Sequence, residues 1–114
     1  MSAPLKPHKT IDVAKDFSQV PAGRFLDDGP NSGERFREEV LFPALQQAEK
    51  VEVILDGIEG SGSSFLDEAF GGLVRNKGLS STEVLRRVEL VSHTDPSLIE
   101  EIHEYVRDAL VRRK

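Results

Sequence analysis

The sequence predicts an α/β fold: a single small domain in which a mixed, partly parallel sheet of about four strands carries about three main helices. Three observations predict it. Val51, Val53, Ile54 and Leu55 form a compact, β-branched apolar run, the signature of a buried strand over 51–56. After a Gly/Ser-rich turn from Asp56 to Ser63, the residues Phe65, Leu66, Ala69, Phe70, Leu73 and Val74 recur at helical spacing and place a helix over 64–76. Strand-like and helix-like segments alternate along the chain, and such alternation implies parallel strands joined by right-handed crossover helices.

Taken in order, Met1 to Lys9 hold two prolines and no periodicity, so residues 1–9 are expected to be a flexible arm and 10–114 the domain. Ile11 and Val13 alternate with polar neighbours from Thr10 to Lys15, as an edge strand would. Pro21-Ala22-Gly23 makes a turn, Arg24-Phe25-Leu26 reads as a brief second strand, and the turn formers from Asp27 to Asn31 end it. Ser32 then caps a helix with the apolar stripe Phe36, Val40, Leu41, Ala44, Leu45 and Ala48. Pro43 lies inside that stripe and is expected to kink or split it. The near-continuous apolar run of 51–56 predicts a central strand covered on both faces. Ser63 or Ser64 would cap the helix that follows, and Gly78 would close it. Ser80 to Leu85 suggests a helical turn, and Val88, Leu90 and Val91 a last strand. Asp95-Pro96 starts a helix in which Leu98, Ile99, Ile102, Val106, Ala109 and Leu110 share a face.

A chain of 114 residues is long enough for its own core. With no cysteine, disulfides, thiolate metal sites and thiol catalysis are excluded. No cofactor or metal site is expected. The formal charge of −5 argues against nucleic acid or an anionic membrane as the principal partner. No apolar run approaches the roughly 20 residues of a membrane span, and the first residues lack the apolar core of a signal peptide, so the expectation is a cytoplasmic protein.

The stretch Asp56-Gly57-Ile58-Glu59-Gly60-Ser61-Gly62-Ser63-Ser64-Phe65-Leu66-Asp67-Glu68-Ala69-Phe70-Gly71 resembles the STAS-like family of small bacterial domains of unknown function. So do Phe17-Ser18, Pro21-Ala22-Gly23-Arg24, Ser32-Gly33-Glu34 and Phe36-Arg37. The resemblance runs from about Thr10 to Leu110, and Ser63-Ser64-Phe65 with Asp67-Glu68 is its most specific part. It implies a fold like that of anti-sigma-factor antagonists, in which a strand, a loop and a serine-initiated helix form a partner-binding phosphoswitch. The partner implied is a protein, of the kind of a kinase-like or anti-sigma-like ATPase. The switch serine would be Ser63, with Ser64 beside it. STAS switches usually read Asp-Ser-Ser-Gly, whereas here Gly62 precedes the serines and Phe65 follows them.

The partner-binding or phosphoswitch surface expected on this reading comprises Ser61, Gly62, Ser63, Ser64, Asp67, Glu68, Gly71 and Arg75. Gly60, Ser61, Ser63 and Ser64, with His93, could alternatively cradle a small anion, since a glycine-rich turn opening a helix presents free N–H groups. Simple helix capping by the serines accounts for the same residues. Asp67 and Glu68 are expected on the exposed side of the helix, complementing its dipole. Gly71-Gly72 marks either close packing or a flat surface left for a partner. A hydrolytic relay of Ser64, His93 and Asp67 is the enzymatic alternative. It lacks a Gly-x-Ser-x-Gly elbow and an evident oxyanion site, so an interaction domain is the favoured expectation.

Overall fold

The computed structural model describes residues 4–110. They form a parallel sheet of three strands in the order β1-β2-β3: β1 Lys6–Asp12, β2 Ala48–Ile54 and β3 Val88–Val91. Five helices accompany it: α1 Val13–Asp16, α2 over residues 33–47, α3 over residues 63–75, α4 Ser81–Arg87 and α5 Ser97–Asp108. The fold is thus α/β, as expected, but the sheet is wholly parallel rather than mixed, with one strand fewer and more helices.

The missing strand is 24–26. Asp28 accepts hydrogen bonds from the backbone N–H groups of Arg24 (3.1 Å) and Phe25 (2.8 Å), which curls the segment into a 3-10 turn at Leu26–Asp28. Local capping by an aspartate outcompetes sheet pairing there. At the other end of the loop, β1 begins at Lys6, inside the segment expected to be a loose arm; residues 1–3 lie outside the described range. It stops at Asp12, whose carboxylate accepts from Lys15 N and turns Val13 into α1.

Pro43 sits just past a change of helical geometry, at the start of the last α-helical stretch of α2, Phe42–Gln47. The helix widens to π geometry over Arg37–Leu41, with Phe42 N–H bonding back to the Arg37 carbonyl five residues earlier. This wider turn precedes the proline ring, which would otherwise press on the carbonyl four residues before it. Ser32 caps α2 as expected, accepting from Arg35 N at 3.2 Å. Arg87 fastens the α2–β2 junction by donating to the carbonyls of Leu45 (2.6 Å), Ala48 (2.9 Å) and Glu49 (2.9 Å).

β2 is central, and Val51, Val53 and Leu55 are at most 2% exposed. All three face the helices. Right-handed crossovers in a 1-2-3 strand order place successive helices on one side of a sheet. Among the described residues, no helix layer covers the opposite face. It carries Thr10, Glu52 and Glu89 in register, with Ile54 and Val91 half-buried, which corrects the expectation of a strand covered on both faces. On the helix side, Phe36, Phe65, Phe70 and Leu73 are buried, and the rings of Phe17, Phe36, Phe65 and Phe70 meet at centroid distances of 5.3 to 6.2 Å. No helix among the described residues is long and apolar enough to cross a membrane.

Candidate functional site

Parallel strands deliver their outgoing loops to one edge, and in open α/β sheets that edge is where ligands gather. Here it collects three segments: the loop after α1, the turn between β2 and α3, and the short link from β3 to α5. The first two are joined by Glu59 N–H donating to the Gln19 carbonyl at 2.6 Å. The turn itself uses Gly57 and Gly60 at φ of 95° and 77°, a region that side-chain-bearing residues rarely enter.

The serines of this turn differ in surroundings. Gly62, rather than either serine, occupies the N-cap of α3, and no side chain caps this helix. Capping is therefore not what Ser63 and Ser64 do. Ser63 is exposed and lies beside the Tyr105 phenol, which donates to Glu101 at 2.6 Å; that bond raises the pKa of Tyr105. Ser64 is half-buried. The Ser61 hydroxyl oxygen is buried and has no hydrogen-bond partner among the described residues.

Asp56, at the end of β2, clamps the β3–α5 link. Its carboxylate accepts from Thr94 N (2.9 Å), His93 N (2.8 Å) and the Thr94 hydroxyl (3.0 Å), and His93 Nδ1 lies 3.1 Å away. The Thr94 backbone bond, followed by the Thr94 hydroxyl and the His93 contacts, lowers the Asp56 pKa to about 2. His93 is thus committed to Asp56. Asp67, the carboxylate that a Ser64–His93–Asp67 relay would need, is instead held by Arg24 at 2.8 Å and Arg75 at 3.1 Å. The relay is not assembled. Nor is a common anion cradle: Ser61 turns inward, Ser63 lies by Tyr105, and His93 leans on a carboxylate.

The expected open face of α3 is filled as well. Glu68 is 5% exposed, and Gly71 is buried. Arg37, itself 3% exposed, donates to the Glu68 carboxylate and to its backbone carbonyl, each at 2.7 Å. Arg24 reaches the other Glu68 oxygen at 3.4 Å, and Arg75 stands 3.8 Å from it. Bonding to Asp67 raises the pKa of Arg24. A Cβ on Gly72 would collide with the Arg37 guanidinium, and one on Gly71 would press on the Asp67 and Arg75 side chains and the Tyr105 carbonyl. These glycines are packing positions, and Glu68 and Gly71 are interior rather than partner-facing. The network was missed because its members lie far apart in sequence, 43 residues between Arg24 and Asp67 and 31 between Arg37 and Glu68. A usable signal was present in the two glycines sharing a helix face with two acids.

The loop after α1 adds residues that sequence reasoning had placed in a strand or passed over. Val20, Phe25 and Leu26 are 52%, 51% and 55% exposed.

Searches among curated proteins and solved structures found no match. A family model described as a STAS-like domain of unknown function matches residues 32–98, which span α2 to the first turn of α5 and more than half of the chain. The chain belongs to that STAS-like family.

Proposed function

We propose that this chain is a non-enzymatic signalling or regulatory domain of the bacterial cytoplasm that binds a protein partner at the outgoing edge of its sheet. The observation that carries the reading is the set of large apolar side chains, Val20, Phe25 and Leu26, left half-exposed on the loop hydrogen-bonded to the serine turn. Exposed apolar groups set beside polar, mobile-backbone turns are characteristic of interaction surfaces. The partner-facing set is then the 57–64 turn with that loop, including Gly62, Ser63 and Ser64. Asp67 and Arg75 contribute by fixing Arg24 and the loop around it.

Ser63 is the residue at which such contact would be switched. A phosphate there adds nearly two negative charges next to Glu101 and Asp67. The fold tolerates this at an exposed helix start, whereas a partner surface matched to a neutral serine does not. A kinase-like or anti-sigma-like ATPase fits this role as partner.

The test is affinity capture from the native cells with wild type, Val20→Asp/Phe25→Asp, Ser63→Asp and Ser63→Ala, Ser64 being varied in parallel. The expected outcome is an unchanged melting temperature throughout, loss of the captured partner with the Asp variants, and its retention with Ser63→Ala. Equal capture by all variants, with neither serine phosphorylated in mass spectra of the native protein, would end the proposal.

A further inference from the structure

Asp67 lies one helical turn after Ser63 on α3, and its N–H donates to the Ser63 carbonyl. Both side chains act on the Tyr105 phenol, so any charge gained at Ser63 lands on the face that Asp67 occupies. The Asp67 carboxylate is shared between two arginines. Arg75 Nη1 holds Oδ1 at 3.1 Å, and Arg24 Nη1 holds Oδ2 at 2.8 Å.

The two arginines are tied down differently. Arg75 belongs to α3 itself and donates a second bond, from Nη2 to the Asp67 backbone carbonyl at 3.0 Å. Arg24 comes from the loop after α1, its side chain is 32% exposed, and it bonds to Asp67 and Glu68 through Nη1 alone. Its Nε and Nη2 have no partner among the described residues. The bonded cluster also carries a surplus of positive charge among those residues. Arg24, Arg37, Arg75 and Lys77 face only Glu38, Asp67 and Glu68. Without Arg24, Asp67 keeps Arg75 and Glu68 keeps Arg37, so no carboxylate is stranded. Arg24 is the spare cation.

Resting on the docking reading above, we infer that Arg24 reads phosphorylation of Ser63: it leaves Asp67 for the phosphate and draws its loop with it. In the modification, Ser63 Oγ takes the γ-phosphoryl group of a nucleoside triphosphate held by the partner kinase. The bond to the β-phosphate breaks, and the hydroxyl proton passes to a base of the kinase. The product sets nearly two negative charges one turn from Asp67, a repulsive pair until a cation moves to it. A guanidinium with its Nε–Nη2 edge free grips a phosphate by two parallel bonds, against the single Nη1 atom it offers Asp67. Phe25 and Leu26, half-exposed, follow Arg24 directly in the chain, so the apolar docking surface moves with the arginine.

The test compares the full chain with and without phosphate on Ser63, introduced as phosphoserine during synthesis, in wild type, Arg24→Gln and Arg24→Lys. In wild type, the phosphate is expected to shift the Arg24 side-chain N–H resonance and the amides of Gly23, Phe25 and Leu26. Phosphorus NMR is expected to show its second acid dissociation constant raised about tenfold over that of a free phosphoserine peptide. Arg24→Gln is expected to abolish both effects, and Arg24→Lys, which keeps the charge but not the fork, to retain part of them. Loop amides that stay in place on phosphorylation, or a phosphate that titrates alike in wild type and Arg24→Gln, overturn the inference. Partner capture separates this from docking. Loss of the partner with Ser63→Asp while the loop stays in place on phosphorylation leaves docking standing and removes the relay; a moving loop with unchanged capture does the reverse.

Discussion

Glu68 follows Asp67 and reads in sequence as a second solvent-facing carboxylate, yet it is enclosed by Arg37 and bordered by Arg24 and Arg75. Removing one partner of a buried ion pair strands the other charge, typically at about 3–5 kcal/mol. Glu68→Ala is therefore expected to lower unfolding free energy by about 3 kcal/mol in urea titrations, the remaining Glu38 bond to Arg37 moderating the loss. Asp67→Ala, at a half-exposed position, is expected to cost about 1 kcal/mol. Equal effects at the two positions would mean that Glu68 is hydrated in solution. Asp56 makes a different prediction, in pH. Its folded pKa of about 2 lies below the roughly 3.9 of an unfolded aspartate, so the stability it contributes is complete above pH ~4 and lost as pH falls toward 2. In Asp56→Asn the decline of stability across that window is expected to be shallower, and an Asp56 carboxyl titrating near 4 by NMR would refute the clamp.

At the scale of elements, what could be read from the sequence was whatever one residue type repeats. The paired apolar positions of α3, the run of β2, the apolar residues of β3 and the Ser32 cap all announce themselves locally. Three things did not. The π turns Arg37–Leu41 and Asp67–Gly71 shift the helical phase by one residue, too little to disturb an apolar stripe. β2 starts at Ala48 because its first residues pair with Lys6 to His8 of β1, although Glu49 and Lys50 give no apolar signal. The segment 24–26 looked like a strand because Asp28's grip on two N–H groups cannot be seen in composition. Within the candidate site, the serine turn was legible and the filled back of α3 was not. Gly72 tests that filled face. Alanine should favour a helix by about 0.5–1 kcal/mol, but its methyl meets Arg37, and overpacking costs about 1–3 kcal/mol. Net destabilisation of Gly72→Ala in urea titrations is expected; stabilisation would show that Arg37 moves aside freely.

At the scale of the whole molecule, and among the described residues, a parallel sheet with helices on one side leaves both outer strands with an unpaired edge and puts the loops that follow the strands at one end. Stability is then expected to be graded. β2 is bonded on both sides and backs onto the phenylalanine cluster, so the amides of Val51, Val53 and Leu55 should exchange only through global unfolding. Among the described residues, the outward amides of β1 face no strand. That edge carries Pro7, Lys6 and Lys9, residues that discourage a further chain from adding to it. The 18–31 loop and the 57–62 turn, held by isolated bonds such as Glu59 to Gln19, should exchange fastest. Hydrogen exchange followed by NMR on the isolated chain gives the order directly: β2 slowest, outward β1 amides faster by several orders of magnitude, and the loops at the site fastest. If outward β1 amides are protected as strongly as those of β2, the edge is paired in solution by another copy of the chain. The functional unit would then be an assembly with a continuous sheet. If instead the site loops are the slow ones, the proposed docking surface would be preformed, and the proposed switching at Ser63 would act by charge alone rather than by reordering the turn.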